Sequence, residues 1–232
     1  MHSINSNSLE QLQSEMLHCR RCLHAGYQIV PGAIFTGREG ARVLLIGQAP
    51  GVTEVKAKRP FNAGSGRRLF QWLGEAGWDE NDFRNQHYMT AVTKCYPGKS
   101  DSGKGDRVPS KEEQWLCRSF LIREITLIRP RLIIPVGGLA IKLFFPSTLK
   151  LNEIIGTAIH LDSIDPNDHD IFNISVGKTV KNFIADLPSS SVWVVPLPHP
   201  SGASLWPNQL KNKSLIDQAI LILQQIRQNY GL

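Results

Sequence analysis

The stretch Val43-Leu44-Leu45-Ile46-Gly47-Gln48-Ala49-Pro50-Gly51 decides the fold. Four consecutive apolar residues ending at Gly, then a Pro-Gly turn, describe a buried parallel strand that stops abruptly and passes its backbone to a loop. Open α/β sheets keep their ligands in the crevice beyond the carboxyl ends of such strands. Gly47 and Gly51 let main-chain N–H groups approach something small and polar there. Alone, the stretch reads first as an ordinary strand-to-loop turn, because short Gly-rich signals are weak.

Downstream, Arg59-Pro60-Phe61-Asn62-Ala63-Gly64-Ser65-Gly66-Arg67-Arg68 precedes Leu69, Phe70, Leu73 and Ala76 at helical spacing, with Gly77 as the stop. Gly64 and Gly66 open that helix beside Arg67 and Arg68, a cationic end that suits phosphate and equally a solvated basic face. Phe61 falls on no amphipathic face, so it is either core filler or a stacking platform for a base. His87 to Thr93 reads as the second strand, closed by Lys94-Cys95-Tyr96-Pro97-Gly98. Lys99 to Val108 is a basic loop in which phosphate contacts and plain disorder are both open. Ser110 and Glu113 form a capping box that starts a helix carrying Cys117 and closed by Pro130.

Arg131 to Val136 is the third strand and Val192 to Leu197 the last, which runs into Pro198-His199-Pro200-Ser201-Gly202-Ala203-Ser204-Leu205-Trp206. A His held between two prolines has little backbone freedom, so its imidazole is aimed, although turn chemistry alone also accounts for such a tripeptide. A closing helix spans Leu215 to Tyr230. Between them, Ile154 to Leu161 suggests a strand, 162–170 an acidic loop and 178–186 an ambiguous segment; none carries a functional signal. The alternation of strands and helices predicts an α/β protein, a three-layer α/β/α sandwich with a short, mainly parallel central sheet, as a single domain over 1–232.

Composition limits the function classes. At 232 residues and 41% hydrophobic the chain can fill one sizeable α/β core but not two comfortable ones. Its longest apolar runs are far short of a membrane span and the first residues show no apolar region before a cleavage site, so a cytoplasmic protein with no membrane partner is expected. The net charge of +6 suits a polyanionic partner without requiring one. Four Cys with no secretion signal argue against a disulfide framework. Cys19-Arg20-Arg21-Cys22 can point two sulfurs at one metal centre, with the arginines offsetting thiolate charge; a redox pair is the alternative, disfavoured by the lack of a preceding strand.

Taken in order, these stretches resemble the uracil-DNA glycosylase superfamily, and most closely its iron-sulfur family 4: Cys19 and Cys22, Gly47-Gln48-Ala49-Pro50-Gly51, Arg59-Pro60-Phe61, Thr93-Lys94-Cys95, Cys117 and His199-Pro200-Ser201. The resemblance implies that Cys19, Cys22, Cys95 and Cys117 ligate a 4Fe-4S cluster. It also implies that Phe61 stacks on an extruded base, that Gly47, Ala49 and Ala91 face that base, and that His199 is aimed at its glycosidic bond. Ser201, Gly202 and Ser204, with Arg67 and Arg68, would grip DNA phosphates, and Leu205 or Trp206 would wedge into the vacated stack. DNA is then the partner, no organic cofactor is needed, and a monomer is expected.

The chain departs from that pattern. Gln48 stands where the family carries Glu, Ala49 where the superfamily's best-known member carries Asp, and Ala91 where an Asn usually reads the pyrimidine edge. Gln48 and Glu54 are the remaining candidates to position water beside the catalytic His199. The expected function is a DNA-repair glycosylase hydrolysing the N-glycosidic bond of uracil or another deaminated base. The alternative is a catalytically weak iron-sulfur nucleic-acid-binding protein of the same fold. A metal-dependent nucleotide hydrolase is weaker, because no acidic cluster suited to Mg²⁺ lies near the strand ends.

Overall fold

The computed structural model describes residues 8–103, 105–161, 179–180, 191–202 and 204–232. In chain order the elements are α1 (Leu9–His18), α2 (Arg21–His24), β1 (Val43–Gly47), α3 (Val52–Ala57), α4 (Gly64–Glu75), α5 (Glu80–Gln86), β2 (Tyr88–Ala91), α6 (Lys111–Ile128) and β3 (Leu132–Pro135). Then come α7 (Gly138–Ile141), α8 (Leu151–Ile154), β4 (Ala158–Leu161), β5 (Thr179–Val180), β6 (Val192–Val194), a 3₁₀ turn at Trp206–Asn208 and α9 (Leu210–Tyr230).

The strands make one sheet in the order β2-β1-β3-β6-β4-β5. The first four are mutually parallel, and β4 runs antiparallel to both β6 and β5. The sheet lies between two groups of helices, α1 and α2 packed with α6, and α4 packed with α5 and α9. This is the expected three-layer α/β/α sandwich with a mainly parallel sheet. The chain leaves β1 for β2 on one side and then crosses to β3 on the other, so the order reverses at β1. The crevice at the carboxyl ends of β1 and β3 is therefore the favoured place for a ligand.

β1 forms because Val43 to Ile46 are all fully buried, each such side chain contributing about 1.5–3 kcal/mol of transfer free energy. Its register sets Gly47 beside Ala91 and Leu44 beside Ile133. α1 starts where the Ser8 hydroxyl accepts the Gln11 N–H, and α6 where Ser110 and Glu113 exchange side-chain and backbone bonds as a capping box. α6 ends with Arg129 in the left-handed region just before Pro130.

Several boundaries differ from the sequence reading. The segment expected as a strand from Ile154 splits into α8 and β4. α9 begins five residues before Leu215, with Leu210 90% exposed, so its first turn has no apolar face to show in the sequence. α5 buries Phe83 alone and α3 buries nothing, which leaves neither helix a periodic signal. The acidic stretch 162–170 lies outside the described residues, as does 178–186 apart from β5. Among the described residues no helix is long and apolar enough to cross a membrane.

Candidate functional site

The loops after β1, β2, β3 and β6 open onto one cavity of about 400 Å³, within the range of small-ligand sites. Gly47, Gln48, Ala49, Ala91, Phe61 and His199 all line it. The structure thus gathers the base-facing and catalytic candidates from four separate stretches of chain.

His199 is held from two sides. The Ser201 N–H donates to its Nδ1 at 3.3 Å, with the Ser201 hydroxyl at 2.9 Å from the same nitrogen. Burial pushes its pKa below the usual histidine value. A neutral imidazole that accepts at Nδ1 carries its proton on Nε2, so the ring offers one N–H donor from the nitrogen that Ser201 leaves free. Behind the ring lies Gly137, in the left-handed region at φ +85°; a Cβ there would come within 3.0 Å of the His199 ring. Only a residue without a side chain lets the histidine sit this close to the end of β3.

Phe61 sits in a backbone conformation that costs a non-glycine residue free energy, with φ +50°. Three neighbours fix it there. Its N–H donates to the Glu54 carboxylate, and its carbonyl accepts from Arg84 at 2.9 Å. Gly66 closes the other side, since a Cβ at that position would lie 1.9 Å from the Phe61 carbonyl oxygen. The ring itself packs on Gly47, whose missing side chain would otherwise stand 3.0 Å from it. Arg84 also donates to the Pro60 carbonyl at 2.9 Å and lies 4.3 Å above the Phe70 ring.

Glu54 is therefore not the free water acceptor expected from the sequence. One oxygen accepts the Phe61 N–H and the other the Gly51 N–H at 2.6 Å, so both are used in shaping the loops. Burial raises its pKa, against the lowering effect of those two bonds. Gln48 and Ala49 line the cavity as expected and bring no carboxylate to it. Ala91 presents only a methyl group, and its carbonyl accepts from Lys94 Nζ at 2.6 Å.

Of the expected phosphate contacts, Ser201 lines the cavity mouth, Gly202 is exposed, and Ser204 follows in a turn closed by its own N–H to the Ser201 carbonyl at 3.1 Å. Leu205 is 75% exposed beside them. Arg67 is exposed on α4, whereas Arg68 is half-buried with Nη1 unpartnered among the described residues. The basic loop is less available than its composition suggests. Lys99 pairs with Asp106 at 3.1 Å, and Arg107 forks onto Glu113 with two bonds of 2.6 Å.

The four Cys carry free thiols and line a single pocket between α2, the loop after β2, and α6. Arg21 fastens the N-terminal pair to α6, bonding Ser119 at 2.8 Å and lying 4.6 Å above the Phe120 ring, and with Arg20 it lines the same pocket as the sulfurs. Desolvation, then the neighbouring Cys117, pushes the pKa of Cys22 up to about 11 and that of Cys95 up to about 12; burial also raises Cys117. Such a thiol array becomes thiolate only if positive charge sits among it, so the donor set fits a thiophilic metal group. Among the described residues, however, no three His, Cys, Asp or Glu side chains are gathered closely enough to hold a metal ion as they stand.

A buried ion pair joins the two centres. Lys94 Nζ lies 2.6 Å from Glu124, Thr90 donates to the same carboxylate at 3.0 Å, and the Lys94 N–H points to Cys117 Sγ at 3.4 Å. Residues 90–95 thus floor the cavity at one end and supply a cysteine at the other.

A family model for the uracil DNA glycosylase superfamily matches residues 34–224. The chain belongs to that superfamily. It is 32% identical over 141 residues to a type-4 uracil-DNA glycosylase of Sulfurisphaera tokodaii, covering 60% of this chain and 59% of that protein. It is 33% identical over 140 residues to the type-4 uracil-DNA glycosylase of Archaeoglobus fulgidus, covering 60% and 64%, and 31% identical over 137 residues to that of Thermotoga maritima, covering 59% and 65%. The matched part is thus somewhat under two thirds of each relative's length.

Within this superfamily fold, the residues the sequence did not reveal are those that hold others in place. Arg84 sits on a helix with no periodic signal, and besides Glu80 one turn before it, it bonds the backbone carbonyls of Pro60 and Phe61, which leave no mark in a sequence. Gly137 was visible only as half of a Gly-Gly turn; its contact with His199 comes from two strands 60 residues apart in the chain.

Proposed function

We propose that this chain is a DNA-repair glycosylase that hydrolyses the N-glycosidic bond of uracil or another deaminated base flipped out of DNA. The observation that carries the reading is His199, a half-buried imidazole whose Nδ1 accepts the Ser201 N–H and whose Nε2 is left to face a ligand, lining the same cavity as Phe61. A base inside a duplex hides its glycosidic bond, so the nucleotide must leave the stack and be read in a pocket. Phe61, locked by Glu54 and Arg84, offers the stacking face. As the C1′–N bond breaks, the electron pair leaves with the base, and His199 Nε2–H stabilises the anion as an oxyanion-hole donor does. Main-chain N–H groups at Gln48 and Ala49 assist; that of Gly51 is engaged by Glu54. Ser201, Gly202, Ser204 and Arg67 would hold phosphates, with Leu205 filling the emptied stack.

Cys19, Cys22, Cys95 and Cys117 would hold a 4Fe-4S cluster. Four thiolates on one tetrahedral ion crowd to about 2.3 Å from a common point. The four thiols lining one pocket, together with the likeness to the type-4 uracil-DNA glycosylases, support a cluster whose irons each take one thiolate. When bound, it supplies Fe–S bonds that cross-link the N-terminal segment, the loop after β2 and α6.

The test uses anaerobically purified protein and oligonucleotides each containing one uracil, hypoxanthine, xanthine or thymine mismatch, followed by alkaline cleavage of abasic sites. Release of at least one base is expected, with His199→Ala slower by about 10²-fold in single turnover at nearly constant DNA affinity. If wild type and the Gln48→Glu/Ala91→Asn variant bind DNA but release nothing, the protein is a binding module on a glycosylase fold.

A further inference from the structure

The cavity contains one carboxylate oxygen that no motif predicts. The loop between β2 and α6 folds back on itself, with Arg107 N–H donating to the Gly98 carbonyl at 3.0 Å and Ser100 N–H to that of Gly105 at 3.1 Å. This brings Asp106 to the wall of the cavity that also holds Gln48, Phe61 and His199. Its Oδ1 is fixed by two donors, the Tyr96 hydroxyl at 2.8 Å and Lys99 Nζ at 3.1 Å. Its Oδ2 accepts no hydrogen bond among the described residues, and lies 3.1 Å from where a Cβ on Gly51 would stand. That oxygen therefore rests directly over the loop after β1, in space that Gly51 leaves open. The nearby Glu54 has both oxygens engaged, and positions 48 and 49 carry an amide and a methyl group.

We propose that Asp106 is the catalytic carboxylate of this site, supplied from the loop before α6 in place of an acid at position 48. The proposal rests on the glycosylase reading above. Once the C1′–N bond has broken, the sugar is an oxocarbenium cation and the base an anion. Oδ2 faces the cation and orients a water; the water oxygen forms the new bond to C1′, its proton passes to Asp106 and on to bulk solvent, and the departing base takes a proton from solvent. Gln48 cannot accept that proton, since a neutral amide is a very weak base. Tyr96 and Lys99 are positioning residues, holding the carboxylate by the oxygen that does not react.

Asp106→Asn is nearly isosteric and keeps an acceptor for Tyr96 and Lys99, so the fold should survive; a melting temperature within the error of wild type checks it. On whichever base the wild type releases, single-turnover excision should fall by about 10²-fold, with duplex affinity unchanged. Adding Gln48→Glu should recover at least tenfold in Asp106→Asn and far less in the wild-type background, a difference that a merely structural role for Asp106 would not produce. A second readout needs no turnover. Wild type should bind a duplex bearing a cationic pyrrolidine abasic analogue more tightly than one bearing neutral tetrahydrofuran, and Asp106→Asn should lose about tenfold of that preference. If wild type releases a base and Asp106→Asn matches it in rate and in analogue preference, the Asp106 assignment is overturned while the glycosylase reading stands. If wild type releases no base and shows no analogue preference, both fall.

Discussion

Replacing Arg84 with Met should damage the site without touching any residue that faces a substrate. The guanidinium, only 9% exposed, makes two charge-assisted bonds to the carbonyls of Pro60 and Phe61, both at 2.9 Å, and an ion pair with the more exposed Glu80 at 2.9 Å, which adds under about 1 kcal/mol. Hydrogen bonds to charged groups are worth about 1.5–3 kcal/mol each, and part of that returns because the freed carbonyls border a wet cavity. The contact with Phe70 adds about 0.5–1 kcal/mol, some of which a Met side chain keeps. A net loss of roughly 3 kcal/mol follows, which in a chain of this size lowers the melting temperature by about 6–12 °C. The functional effect runs through Phe61. Without Arg84 on its carbonyl, the φ +50° conformation keeps only Glu54 and the Gly66 contact, and the stacking ring loses its fixed seat. A displacement of about 1 Å in reacting geometry costs up to about 10²-fold, so single-turnover excision should fall ten- to a hundredfold below the melting transition, with nonspecific duplex affinity unchanged. Arg84→Lys should recover little of it, since an ammonium cannot reach both carbonyls in the fork geometry. A variant that melts within 2 °C of wild type and excises at the wild-type rate would refute the account of Phe61 as a held residue.

Three further outcomes are expected. His87, buried against Phe83 and Trp78 and facing Arg42, Arg227 and Arg38, has its pKa pushed down to about 4 from 6.5, by burial first and then by those cations. The unfolded chain therefore binds the proton more readily, so stability is complete above pH 6.5 and roughly 3 kcal/mol of it is lost as pH falls toward 4; His87→Phe should flatten that slope in pH-dependent melts. Protein matured in its own cell should carry about four iron and four sulfide per chain, and Cys22→Ser should lower solubility and melting temperature before it alters excision; stoichiometric zinc without sulfide would remove the cluster assignment. Arg67→Gln should reduce the slope of log affinity against log salt by about 0.9, and an unchanged slope would return Arg67 to solvent.

The main features of the site were legible because they are local in sequence. An apolar run ending in Gly and Pro-Gly reads as a strand handing over to a loop, and a His between prolines has little backbone freedom. Six such features in order, from Cys19 and Cys22 to His199-Pro200-Ser201, carried the resemblance to the superfamily. Capping at Ser110 is equally local, being a matter of residues three apart. Partnerships across the fold were not legible. Glu54 looks like a spare acid in the sequence, yet both oxygens are bound to main-chain N–H groups. The loop from Lys99 looks like a cationic surface, yet Arg107 is spent on Glu113 and Asp106 turns inward.

The sequence by itself determined which strands are buried and where they stop, because burial and turn formation follow from residue type and spacing, while the roles of the thiols and the histidine came only with the family resemblance. Only the tertiary structure decided which carboxylate turns into the cavity and which arginine holds Phe61, because a hydrogen bond to a backbone carbonyl or N–H depends on where distant chain segments meet and not on the residue type at the other end.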